Sequence, residues 1–86
     1  MITNVTTKSG FKISMNPDVV DNMELLDALA QANDDGISIV KVANMLLGTD
    51  DKRRLYDHLR TDDGRVPMEP FMAEIEEILN SIGAKN

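Results

Sequence analysis

The chain has 86 residues, 42% of them hydrophobic, a formal net charge of −6 and no cysteine. That length fits one domain with a modest core, and the missing cysteine removes disulfides, thiolate metal sites and thiol nucleophiles. Residues 1–48 carry three Lys and six acids, and residues 49–86 carry six Lys or Arg and nine acids, so each part is −3; this gives neither the clustered cations that phosphate binding wants nor a polybasic segment for an anionic membrane surface.

The aromatics are Phe11, Tyr56 and Phe71 against six Met, so the core is expected to be aliphatic and Met-rich, with Met serving irregular gaps and partner surfaces alike. The N-terminus lacks a basic region followed by a continuous apolar run, and no apolar run reaches the roughly 18–20 residues of a membrane span. The expected location is cytoplasmic.

Residues 1–15 read as a β-hairpin. Ile2, Val5, Thr6 and Thr7 form one strand, Lys8-Ser9-Gly10 the turn, and Phe11, Ile13 and Met15 alternate with Lys12 and Ser14 on the other. An isolated hairpin is marginal in water, so its apolar face is expected on the helices. Asn16-Pro17-Asp18 predicts a helix start, with Asn16 as N-cap, running to about Ala32 or Asn33. Its stripe is Val19, Met23, Leu26 and Ala30, widened by Val20, Leu25 and Leu29, and Gly36 follows the stop at Asn33-Asp34-Asp35.

Ser38 is expected to cap a second helix to Leu47, with Ile39, Val42, Ala43, Leu46 and Leu47 inward. Gly48 ends it, and Thr49-Asp50-Asp51 opens a third helix to about Arg60, with Leu55 and Leu59 inward. After the polar joint 60–67 comes the best periodic segment. Met68, Phe71, Met72, Ile75, Ile78, Leu79 and Ile82 recur at spacings of three and four, with Glu69, Glu74, Glu76 and Glu77 largely opposite. The start is either Pro67 or Pro70, and 83–86 reads as a frayed tail. The fold expected is mainly α (α+β): a single domain, 1–86, with the N-terminal hairpin packed on a compact bundle of about four helices over 16–82.

Few sites of chemistry emerge. With Gly64 at the sixth place of an EF-hand loop, position one is Leu59 and position twelve Pro70, where calcium needs oxygen donors. His58 stands alone, with no nucleophile context and no glycine-rich phosphate loop around it. The reading is therefore a non-enzyme with no catalytic residue, metal or cofactor. Val42–Gly48 followed by Leu55 and Leu59 has the outline of a helix-turn-helix, with Lys52, Arg53 and Arg54 available to phosphates. Asp50, Asp51 and Asp57 share the same helix, and αα-hairpins with a Gly turn are common without DNA. A small DNA-binding or regulatory protein is the alternative reading.

Ser9-Gly10-Phe11, 22–29 (NMELLDAL), Met45-Leu46-Leu47-Gly48, 55–60 (LYDHLR) and above all 62–67 (DDGRVP) leading into an acidic, apolar-striped helix recur in a telling order. Together these segments, over most of residues 9–82, resemble a family of small tail assembly chaperones of tailed phages and prophages of Gram-positive bacteria. Thr61 departs from the acidic residue expected there, and Thr49-Asp50-Asp51 from a more Glu-rich start. The resemblance implies a non-catalytic protein that binds the tape measure protein and keeps it soluble while other tail subunits assemble. It would act in the host cytoplasm, be absent from the mature virion, often have a longer frameshifted form, and need no nucleic acid or membrane. The residues expected to be partly exposed in the monomer, and to bury on client binding or in a homo-oligomer, are Met68, Met72 and Leu79, or Met23 and Leu26.

Overall fold

The structure, a computed structural model, describes residues 2–84. Strands β1 (Thr3–Thr6) and β2 (Lys12–Met15) pair antiparallel, with Thr3 opposite Met15 and Thr6 opposite Lys12. The alternation is realised: Phe11, Ile13 and Met15 are buried, together with Val5 and Thr7. Thr7 closes the turn. Its carbonyl accepts from the Gly10 N–H and its N–H donates to the Phe11 carbonyl, both at 2.9 Å, while its hydroxyl oxygen accepts from the Phe11 N–H at 3.2 Å.

Asn16 does cap, accepting the Asp18 N–H at 2.9 Å. However, what it starts is one 3-10 turn, Pro17–Val20. Helix α1 runs Met23–Asp35, with Asn22 as its N-cap accepting from the Glu24 N–H at 2.9 Å. The expected start is thus displaced, because Asp21 leaves helical geometry and a second capping Asn re-opens the chain. Val19 and Val20 therefore fall out of phase with the helix. The buried stripe becomes Leu25 and Ala28, flanked by the half-buried Leu29 and Ala32, and Met23 and Leu26 face outward. The helix also runs past the expected end at Ala32 or Asn33, the polar Asp34 and Asp35 staying helical until Gly36, at φ 68°, ends it and donates its N–H to the Ala32 carbonyl.

Ser38 does not act as a side-chain cap. Instead the Asp35 carboxylate accepts from both the Ser38 N–H (3.0 Å) and its hydroxyl (3.1 Å), charge-assisted bonds that turn the hydroxyl into a donor, and the Val40 N–H goes to the Ile37 carbonyl. Helix α2 spans Ile39–Leu59 and is interrupted only at Gly48, whose backbone (φ 78°, ψ 171°) is not helical. There are thus three α-helices where about four were expected. The boundary at Gly48 is real, but Thr49 follows it within the same element and no loop separates the halves.

The break serves packing. At about 100° per residue, Leu55 in an unbroken helix would point about 180° away from Leu46. Both are nevertheless buried in one core, with Val42 and Ala43. Gly48 lets two opposed apolar faces of one helical element reach the same interior.

Helix α3 runs Met68–Leu79, followed by a wide turn, Asn80–Ala84, that buries Ile82. Pro67 precedes the helix in extended conformation, so the start lies at neither Pro67 nor Pro70. Pro70 is the third helical residue, where an N–H would have no intrahelical acceptor. Of the tail expected to fray, Gly83 and Ala84 belong to that turn, and residues 85 and 86 lie outside the described ones.

The α3 stripe is rolled relative to the expectation. Phe71, Ile75, Ile78, Leu79 and Ile82 are buried as expected, but so is Glu74, only 5% exposed, whereas Met68 is 80% and Met72 43% exposed. Glu74 lies only about 40° around the helix from Ile78, so a core centred on Phe71 and Ile78 takes it in and leaves the two methionines at the opposite margin. The hairpin fixes this roll. The Ser9 hydroxyl donates to Glu74 Oε2 (2.9 Å) and the Lys8 N–H to Glu77 Oε2 (2.9 Å). Arg54 of α2 donates to the Lys12 carbonyl at 2.7 Å and lies over the Phe11 ring, 5.1 Å from its centroid.

A methyl group added at Gly48 would meet nothing within 4 Å, so its requirement is conformational alone. Gly48→Ala is expected to lower the unfolding free energy by about 1–3 kcal/mol, and Gly48→Leu by a similar amount. Urea denaturation of both variants checks this; a much larger loss for Leu would make the constraint steric.

Candidate protein-binding groove

Four of the seven large hydrophobic side chains exposed among the described residues meet at one place: Ile37 (79% exposed), Val40 (46%), Met68 and Met72. They edge a groove of about 580 Å³ between the start of α2, the first turns of α3 and the 66–67 segment. Its floor includes Phe71 and Tyr56, whose rings pack tilted with centroids 5.4 Å apart. A second hollow, of about 540 Å³, adjoins it through the shared Ile39 and Met72 and continues along α3 to Leu79.

Each edge has a local cause. The left-handed Gly36 and the Asp35–Ser38 bonds turn the chain sharply, so Ile37 cannot reach the interior. Val40 lies beside the inward stripe of Ile39, Val42 and Ala43. Met68 and Met72 are exposed by the roll of α3. The 66–67 edge is set by the preceding loop. There the Thr61 N–H donates to the Arg65 carbonyl at 2.7 Å, Gly64 to Thr61 at 3.0 Å, and Arg60 to the Gly64 carbonyl at 2.9 Å. Asp63 accepts from the Thr61 hydroxyl and from Arg65 Nε at 3.0 Å. These two donors, the hydroxyl first, hold its carboxyl below the ordinary aspartate value of 3.8.

Of the five residues expected at a partner surface, Met68 and Met72 line the main groove. Leu79 is only 9% exposed and forms the floor of the adjoining hollow rather than a free surface. It lies only about 20° around the helix from Met72, yet at the end of α3, where the second hollow reaches Leu29 and Ala32 of α1, it is covered. Met23 and Leu26 are exposed on α1 but line neither hollow. Ile37 and Val40 were not anticipated. An isolated isoleucine between Gly36 and Ser38, and an apolar residue adjoining an already complete helical stripe, are the signals that point to them.

The other polar features are structural in geometry. His58 Nε2 lies 3.0 Å from Ser9 Oγ and its ring packs on Phe11 at 5.4 Å. The Ser9 hydroxyl donates to Glu74 Oε2, so these contacts tie the hairpin turn to both α2 and α3. Among the described residues no group of three or more His, Asp or Glu side chains could hold a metal ion, and no helix is long and apolar enough to cross a membrane. Of the three consecutive cations of α2, Arg54 is bonded to Asp51 and Lys12, and Lys52 lies over Tyr56, 5.5 Å from the ring centroid. Comparison with protein-family models, curated proteins and solved structures gave no match.

Two outcomes follow from these polar contacts. Glu74 Oε1 is buried without a hydrogen-bond partner, so removing the Ser9 hydroxyl strips the carboxylate of its remaining side-chain donor. Ser9→Ala is expected to cost about 1–3 kcal/mol, while Glu74→Met is expected to be neutral or stabilising and to abolish the effect of Ser9→Ala in the double variant; chemical denaturation of the cycle measures this. Because folding depresses the Asp63 carboxyl, its contribution is present above 3.8 and lost as pH falls through the lower folded value. Asp63→Asn should therefore be less stable than the parent at neutral pH, with the gap closing below 3.8; a gap that persists unchanged in acid contradicts this.

Proposed function

We propose that this chain is a non-catalytic binding protein that shields an apolar helical segment of another polypeptide. The observation that carries this is the convergence of Ile37, Val40, Met68 and Met72 on one groove with an aromatic floor. A folded domain this small gains from burying such residues, and a contiguous exposed patch of them marks a contact surface. Two of the four are methionines, whose flexible thioethers fit differing apolar partners, and helix-in-groove docking is a recurrent way to hold an apolar stripe.

The resemblance to phage tail assembly chaperones supports a specific client, the tape measure protein, held soluble in the host cell during tail assembly. The test is co-expression with a tape measure segment of apolar periodicity. The chain should retain the segment in the soluble fraction, and a Val40→Asp/Met72→Asp variant that keeps its helical circular dichroism should let at least most of it precipitate. A parent chain that leaves the segment insoluble, or a variant that works as well as the parent, overturns the proposal.

A further inference from the structure

The charged side chains that line the groove and its continuation along α3 are acidic. The charged residues lining the two adjoining hollows are Asp35, Glu69 and Glu76, and no Lys or Arg lines either. Lys52, over Tyr56, lines a third hollow with Arg53, Asp57 and Arg60, which meets the groove at Tyr56 alone. The two hollows follow α3 from Met68 to Leu79, which at 1.5 Å per residue is roughly 16 Å, or three helical turns.

We infer, building on the reading above, that the groove takes a helix of about three turns whose apolar stripe is flanked by Lys or Arg. The floor recognises the stripe, and Asp35, Glu69 and Glu76 recognise the flanks. The same rim disfavours a second copy of this chain as occupant. A two-fold pairing through the groove would set this carboxylate rim against its own copy, each chain already carrying −6. Opposite charges at the rim also speed encounter and select against acidic stripes.

The experiment titrates the full chain with two labelled 18-residue helical peptides of identical apolar stripe, one with Lys and one with Glu on the flanks. Three exposed pairs predict roughly tenfold tighter binding of the Lys peptide at low salt, shrinking as salt rises. A Glu69→Lys/Glu76→Lys variant should reverse the preference, and Val40→Asp/Met72→Asp should abolish both complexes. Equal binding of the two peptides overturns the charge assignment and leaves the apolar groove intact as a binding site. Binding of neither peptide overturns both this inference and the function proposed above. A concentration-dependent dimer in sedimentation that Val40→Asp/Met72→Asp dissolves gives the groove to a second copy and overturns the inference.

Discussion

The interruption of α2 at Gly48 is the constraint on which the other arrangements rest. The residues before it put Val42, Ala43 and Leu46 inward; those after it put Leu55 inward from what would be the opposite side of a continuous helix. Without a residue free to adopt φ 78° and ψ 171°, one half of α2 would present its apolar side to water. With it, both halves bury their apolar sides in one core, and Arg54 and His58 come to lie against Phe11. A single backbone conformation thus decides where the hairpin rests. The hairpin in turn decides how α3 is rolled, because Ser9 and Lys8 hold Glu74 and Glu77.

That roll links core to surface. An apolar stripe as wide as that of α3 cannot bury every member against one neighbouring layer. Drawing in Phe71, Ile75 and Ile78 together with Glu74 leaves the margin holding Met68 and Met72 outside. The buried carboxylate is the unfavourable side of this arrangement: Oε1 has no hydrogen-bond partner, and desolvating a carboxylate without full compensation costs free energy. A roll in the other direction would have exposed Glu74 and covered the methionines. The groove and the buried Glu74 are therefore two consequences of one orientation.

The elements of regular pattern were legible in the sequence. Period two in Phe11, Ile13 and Met15 fixed the hairpin face, Gly36 the end of α1, and Gly48 the break in α2. What was not legible depended on competition between signals of equal quality. Asn16 and Asn22 are both good caps, and only the departure of Asp21 from helical geometry decides that the longer helix belongs to the second. Ser38 reads as a cap acceptor, yet its hydroxyl donates to Asp35 and the Val40 N–H is taken by the Ile37 carbonyl. The α3 stripe, read alone, gives a direction to within about 40°, which is the difference between Glu74 out and Glu74 in. Half of the groove came from this same source: Met68 and Met72 were identifiable as apolar residues on a helix with too much to bury. Ile37 and Val40 required the α1–α2 turn, whose geometry rests on tertiary placement.

Composition and site fit together on physical grounds. Leaving Ile37, Val40, Met68 and Met72 adjacent and exposed favours association through them. A net charge of −6 spread over both parts of the chain opposes it between copies of this chain. Asp35 lines the groove, and Glu69 and Glu76 line its continuation, beside apolar side chains. Within one surface, charge acts at a distance and dispersion at close range, and the two are set side by side along α3.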